Sequence, residues 1–541
     1  MSFETILTTE RVAQHTSQGH WLDRTITDYL DEWVATTPDK VAFVDPRRQI
    51  TYAELKAEVD QAALGLLELG VEPGDVVSFQ LPNWIEWVVV HYAATRIGAI
   101  SNPLIPIYRS REIDFMVGLA ESKVIVLPAE FRGFDYVGMV DDLRPNWPAL
   151  QHVLVVDGKL GQGTSSWQDF MDTSRKQRDL ASLRPDPNEV TLLIFTSGTT
   201  GEPKGVMHTH NTVVAANDAL PSRLGITSDT VFHMASTLAH LTGFLYGARL
   251  NVQNGATAVF QDIWDNERFV ELVEEHGITY TSAATPFLHD TLNAPNLTDH
   301  DMSTLVRFCC MGAPIPRSIV REAKAKLPDT VVLGGWGQSE NGLVTLGIPG
   351  DAEDKIIDTD GFPWPGMEIR TVDFAGEPVA AGEEGRLQVR GPFLFVGYAK
   401  RLDLTRELVD GDGWFDTGDL ARIDADGYVR ISGRTKDVII RGGENIPVAY
   451  IENALYENPK IASVAVIAVP DPRLQERACA CVVLAEDAGE LTFAEMQEFL
   501  EGKGVAKQYW PEELKVLDAF PTTPSGKIQK FQLREQVGKD A

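Results

Sequence analysis

Apolar residues along the chain alternate between two rhythms. Over residues 52–69, Leu55, Val59, Ala62, Leu66 and Leu69 fall at helical spacing, and Gly70 follows as a stop. Residues 76–81 read as an extended run, 85–97 return to helix, and 123–127 to strand. Similar units recur through 191–195, 257–260, 269–276 and 331–334. Strands alternating with helices predict α/β layers with mainly parallel sheets. After about residue 360 the texture changes. Residues 368–373, 385–390, 421–424 and 428–432 read as strands joined by Gly, Pro and Asp turns, with Asp424-Ala-Asp-Gly427 as a hairpin turn. A β-rich subdomain is therefore expected over about 360–433. Farther on, 448–456 and 493–500 read as helices, and 464–469, 478–484 and 513–517 as strands, which predicts a small α+β domain. Its boundary is placed near Arg434-Thr-Lys-Asp437, dividing the chain into 1–433 and 434–541.

Size agrees with this division. The 541 residues exceed the ~250–300 at which one core stops growing, so at least two domains are expected. The net charge of −30 repels nucleic-acid phosphates and argues against a nucleic-acid partner. Cys309 and Cys310 have no metal-ligand spacing, and Cys479 and Cys481 share one face of a predicted strand, so all four are read as reduced core thiols. Residues 1–15 lack the apolar core of a signal peptide, and no apolar run reaches the ~18–20 residues needed to cross a bilayer. These observations predict a soluble, cytoplasmic protein without an integral membrane segment, monomeric or homodimeric.

The sharpest local signal is Leu192-Leu-Ile-Phe-Thr-Ser-Gly-Thr-Thr-Gly-Glu-Pro-Lys-Gly-Val206. An apolar strand runs into a loop dense in hydroxyls and glycines. Gly198, Gly201 and Gly205 let the backbone approach a phosphate, Thr196, Ser197, Thr199 and Thr200 add hydroxyl donors, and Lys204 adds a cation. It is not a Walker A loop, because Pro203 precedes the lysine and Gly205 follows it.

This loop resembles the signature of the adenylate-forming enzymes, a family that includes acyl-CoA synthetases, aryl-CoA ligases, luciferases and peptide-synthetase adenylation domains. The likeness covers nearly the whole chain. It implies a large N-terminal region and a small mobile C-terminal domain. It also implies ATP, Mg²⁺ and coenzyme A as co-reactants of a small carboxylic acid. Met311-Gly-Ala-Pro314 resembles the family's adenine-side loop, which assigns Gly312, Ala313 and Pro314 to the nucleotide. Gly335-Trp-Gly-Gln-Ser-Glu340 resembles its Tyr-Gly-x-Thr-Glu motif. There Trp336 would stack on adenine, Gly337, Gln338 and Ser339 would adjoin the nucleotide, and Glu340 would meet Mg²⁺ directly or through water. Trp414-Phe-Asp-Thr-Gly-Asp-Leu420 matches the segment whose last aspartate, here Asp419, grips the ribose hydroxyls. In Ser432-Gly-Arg-Thr-Lys-Asp437, Arg434 would touch the nucleotide and Lys436 would be the hinge.

Pro521-Thr-Thr-Pro-Ser-Gly-Lys527 matches the C-terminal catalytic motif, where Lys527 would bridge the substrate carboxylate and the α-phosphate. Lys527, Glu340, Thr196 and His240 are the residues expected nearest the reacting groups. Ser236-Thr-Leu-Ala-His-Leu-Thr-Gly-Phe244 resembles the segment between the nucleotide and acyl pockets. His240, Leu241 and Gly243, with Gly334, are therefore assigned to the acyl pocket, and Arg441, Gly442, Gly443 and Glu444 to coenzyme A. Leu241 stands where amino-acid-activating relatives carry an aspartate, which points to an apolar acid. The closest resemblance is to ligases of short- or medium-chain fatty acids and cyclohexanecarboxylate. Rival readings are an acyl-AMP ligase loading a separate carrier protein, a luciferase-like oxygenase, a non-catalytic nucleotide or acyl sensor, and a membrane-bound transporter-ligase.

Overall fold

The computed structural model describes residues 3–171, 178–196, 203–313, 315–441, 444–446, 448–471, 475–486, 488–522 and 528–539. Two large mixed sheets form most of the molecule. The first has nine strands in the order Phe362–Pro363, Gly342–Leu346, Val331–Gln338, Arg307–Cys310, Tyr280–Ala283, Val231–Met234, Thr257–Phe260, Val41–Val44 and Gln49–Thr51. Its six central strands, Val331–Gln338 through Val41–Val44, are parallel. The second has eight, in the order Gly397–Tyr398, Lys204–Thr209, Val190–Thr196, Ile100–Pro103, Val76–Phe79, Val124–Pro128, His152–Val156 and Ser165–Ser166. Here the strands from Val190–Thr196 onward are parallel, and the two before it are antiparallel. Parallel strands are covered on both faces, which is why Val124–Pro128 is an unbroken apolar run that is buried throughout.

The helix Ile85–Arg96 is buried along its whole length. Its polar residues therefore need internal partners. Glu86 accepts from Arg47 at 3.2 and 3.3 Å, His91 meets Ser101 Oγ at 2.8 Å, and Arg96 forks onto Asp31 at 2.6 and 2.8 Å. The helix Tyr52–Glu68 starts on a capping box between Thr51 and Glu54, and Gly70 follows with φ +75°.

The expected β-rich segment is a four-stranded antiparallel sheet of Glu368–Val372, Glu384–Arg390, Phe415–Ile423 and Val429–Arg434. The Asp424 turn closes with Gly427 N–H donating to Asp424 O, at φ +91° for Gly427. Beyond it, a hairpin of Ile461–Asp471 and Gln475–Leu484 carries Glu513–Val516 in parallel on one edge. One face of this sheet packs on Val448–Tyr456 and Phe493–Gly502, and the other packs on Leu533 and Val537 of the helix Lys530–Lys539. Cys479 and Cys481 lie in that second layer, and all four cysteines are free and buried.

Several strands run past their predicted ends. The strand predicted over 331–334 continues to Gln338 and folds back through Gly342–Leu346. Its glycines are set by this hairpin, since a Cβ on Gly337 would lie 1.9 Å from Gly342 O.

Candidate active site

An open cleft of about 3470 Å³ runs between the large sheets, the β-rich sheet and the C-terminal layer. A single ligand pocket holds ~300–1,000 Å³, so this is a cleft between bodies rather than one pocket. Thr196 and Lys204 close the two strands of the phosphate-loop hairpin, pair in register, and line the cleft. Ser197, Gly198, Thr199, Thr200 and Gly201 lie outside the described residues. Gly205 is closely packed: a Cβ there would sit 2.8 Å from Leu193 and 3.3 Å from Ala399.

The strand end Trp336-Gly-Gln-Ser-Glu340 lines the same cleft. Trp336 is 8% exposed, and its indole N–H donates to Asp419 Oδ2 at 2.8 Å. Gln338 donates from Nε2 to the same oxygen at 3.0 Å and to Thr417 O at 2.9 Å. Asp419 Oδ1 lies 3.1 Å from Arg434 Nε. The last contact follows from strand register, because Asp419 and Arg434 are cross-strand partners. Asp419 is 3% exposed, whereas the Arg434 side chain is 48% exposed.

Beside Ser339, burial pushes His208 down to about 4, so its imidazole is neutral at ordinary pH, and its Nε2 donates to Ser339 O at 2.7 Å. Glu340 is held twice: Phe395 N–H donates to its carbonyl at 2.7 Å, and the Tyr398 hydroxyl donates to Oε1 at 2.8 Å. Burial, with the neighbouring Glu340 charge, lifts the Tyr398 phenol far above its ordinary range, so it stays protonated. The Lys204 ammonium sits 5.0 Å from the Tyr398 ring centroid.

Gly312 and Ala313 line the cleft, with Gly312 at φ +83°, a conformation that favours glycine. Pro314 lies outside the described residues. The four acyl-pocket assignments separate. His240 lines the cleft, but Leu241 is buried in the core with Leu238 and Phe244. Gly243 opens a π-helical turn, where a Cβ would strike Thr237 O at 2.2 Å. Gly334 packs beneath Thr359 O and Ile315, 3.3 and 3.4 Å from where its Cβ would be.

Just past the strand Val429–Arg434, Thr435 Oγ1 donates to Gly418 O at 2.7 Å and Asp437 pairs with Arg534 at 3.0 Å. The Lys436 and Glu444 side chains, Gly442, Gly443 and Lys527 are outside the described residues. Thr522 and Ile528, on either side of residues 523–527, bridge to each other and line the cleft. Arg441, assigned from the sequence to coenzyme A, lies within the C-terminal layer. Its guanidinium is bound to Glu512 and to the Gln508 carbonyl inside the C-terminal layer.

Tyr398 is a residue that sequence reasoning missed. It comes from a two-residue edge strand almost two hundred positions beyond the phosphate loop, and no local pattern separates it from a core tyrosine. Only the pairing of Gly397–Tyr398 with Lys204–Thr209 puts it there.

Comparisons with known families cover these segments. The model of AMP-binding enzymes matches residues 30–399, and that of the AMP-binding enzyme C-terminal domain matches residues 450–527. The chain belongs to the AMP-binding enzymes. It falls in their AMP-forming ligase class. A medium-chain fatty-acid–CoA ligase of Escherichia coli K12 is 37% identical over 530 residues, covering 98% of this chain and 93% of the relative. A salicyl-AMP ligase / salicyl-S-ArCP synthetase of Mycobacterium tuberculosis is 32% identical, covering 98% and 94%. Among solved structures, ATP-bound MatB from Rhodopseudomonas palustris superposes with TM-score 0.86 at 27% identity, covering 96% of this chain and 100% of that one. Among the described residues, no helix of this AMP-binding enzyme is long and apolar enough to cross a membrane.

Proposed function

We propose that this AMP-binding enzyme joins an apolar carboxylic acid of medium chain length to coenzyme A through an acyl-adenylate. The observation that carries the reading is the near full-length 37% identity to the Escherichia coli medium-chain fatty-acid–CoA ligase. It is supported by the convergence of Trp336, Asp419, Arg434, Glu340 and Lys204 on one cleft. A second reading, transfer of the acyl group to a separate carrier protein, has support from the salicyl-S-ArCP synthetase relative.

A carboxylate resists thiol attack because its carbonyl is electron-rich and oxide is a poor leaving group. In the first half-reaction the carboxylate oxygen attacks the α-phosphorus of ATP and pyrophosphate leaves. In the second, a thiol attacks the carbonyl of the mixed anhydride and AMP leaves. Asp419 would accept from the ribose hydroxyls, Trp336 would face the adenine, and Lys204 with the loop after Thr196 would hold the phosphates. Lys527 would offset the repulsion between the two reacting anions. Among the described residues no three acidic, histidine or cysteine side chains cluster as a metal cage. One carboxylate, Glu340, facing a triphosphate fits Mg²⁺, which keeps phosphate and water ligands. Bound there, the ion would spread the negative charge of the triphosphate.

The alternation of half-reactions would require the small domain to turn. A break near 434–437 is supported by the core: the hydrophobic cluster of the large part reaches Ile431, and a separate one begins at Ile439. The flanks of 523–527 line the cleft while Arg441 is tied elsewhere, an arrangement that suits adenylation.

The test is incubation with ATP, Mg²⁺, coenzyme A and a panel of aliphatic, alicyclic and aromatic acids, read by mass spectrometry. Acyl-CoA from medium-chain acids supports the proposal. Acyl-AMP with coenzyme A untouched favours the carrier reading, and neither product from any acid overturns both.

A further inference from the structure

Tyr398 belongs to none of the sequence motifs, yet it stands between two of them. It is 2% exposed. Its backbone N–H donates to Thr405 Oγ1 at 2.9 Å, and its ring meets Phe395 at 4.9 Å and 63°. Thus held, it offers its hydroxyl to Glu340 Oε1 at 2.8 Å and its π-face to the Lys204 ammonium at 5.0 Å. We propose that Tyr398 is a positioning residue for the triphosphate end of the site, keeping the Glu340 carboxylate and the Lys204 ammonium apart and aimed at the nucleotide. The inference rests on the ligase reading above.

The physical reason is the pull between opposite charges. A carboxylate and an ammonium flanking one side chain attract each other. Without a fixed donor, Glu340 would turn toward Lys204, and each would neutralise the other instead of meeting the metal-bound triphosphate. The phenol commits one carboxylate oxygen in a charge-assisted bond. The ring presents its π-face to the ammonium and adds no charge of its own there. A side chain that only filled this sheet edge would need no hydroxyl.

The experiment compares wild type and Tyr398→Phe for ATP binding by isothermal titration calorimetry, with and without Mg²⁺. Removing the hydroxyl should cut the Mg²⁺-dependent gain in ATP affinity by ~10-fold, as for loss of a hydrogen bond to a charged group. Binding of metal-free ATP and Tm should hold. In a Glu340→Gln background, adding Tyr398→Phe should change nothing further. Equal Mg²⁺ dependence in both proteins, or additive losses in the double variant, would overturn the proposal. So would failure of Tyr398→Phe to fold, which would assign the hydroxyl to stability. The ligase reading is judged separately on wild type: absence of acyl-adenylate from every acid would remove it, whatever Tyr398→Phe does.

Discussion

Replacing Asp419 by asparagine separates the nucleotide role of this residue from its structural one. An asparagine has one acceptor oxygen and one amide nitrogen. Placed at Oδ2, the oxygen keeps the bonds from Trp336 at 2.8 Å and Gln338 at 3.0 Å. The nitrogen then faces Arg434 Nε, which lies 3.1 Å from Oδ1, and that pair is lost because both groups are donors. The Arg434 side chain is 48% exposed, so the lost ion pair costs only ~0–1 kcal/mol. Tm should therefore move by no more than about 2 °C. The nucleotide loses more. One ribose hydroxyl is left without a charged acceptor, worth ~1.5–3 kcal/mol, which corresponds to a ~10–150-fold weaker ATP. The assay is ATP affinity by calorimetry, repeated with 2′-deoxy- and 3′-deoxy-ATP. Wild type should discriminate against at least one deoxy analogue, and Asp419→Asn should lose that discrimination. Unchanged ATP affinity with an unchanged Tm would refute the ribose assignment. A large fall in Tm would refute the claim that the inner bonds survive.

Other expectations are simpler. Lys527→Ala should suppress adenylate formation by ~10²–10³-fold while sparing thioesterification of supplied acyl-AMP, and equal loss in both half-reactions would sink its role. Leu241→Asp should lower Tm and soluble yield rather than retune acid choice, because it buries a carboxylate among Leu238 and Phe244. A normal Tm with altered kcat/KM across a chain-length series would show instead that Leu241 reaches the substrate. Burial pushes His208 and His233 down to about 4, so their unfolded forms take up protons first as pH falls below 6.5. Each should cost about 1.5 kcal/mol between pH 6.5 and 5, and the fall in Tm over that window should be shallower in His233→Gln. Asp218 acts with the opposite sign: burial raises it to about 6, so its contribution favours the folded chain at low pH and fades as pH rises from 4 to 6.

What the sequence made legible follows from locality. The periodicities of 52–69, 448–456 and 257–260 match their elements nearly end to end, because helix faces and strand alternation are written in neighbouring residues. Strand lengths were underread where glycine and polar positions continue a ladder, as in Val331–Gln338 and Ile461–Asp471. These residues are extended because a partner strand pairs with them, and that information lies elsewhere in the chain. The site divides in the same way. Trp336 and Asp419 sit in contiguous motifs and could be named, but their mutual hydrogen bond crosses two different sheets. Tyr398 could not be named, since it enters through an edge pairing with Val206. Leu241 adjoins His240 in sequence, but only the folded chain shows that it sits in one cluster with Leu238 and Phe244.

The cysteines give the enzyme a built-in clock. Cys479 and Cys481 lie beneath Leu533 and Val537 of the helix that follows residue 527. Cys309 and Cys310 lie in the large domain, where burial lifts both thiols to about 12. A thiol reagent therefore reads two separate openings by mass. Addition of two labels records detachment of the C-terminal helix, and addition of four records loss of the large core. The ratio of those rates, followed as nucleotide and acid are added, would time the lifting of that helix without any engineered probe.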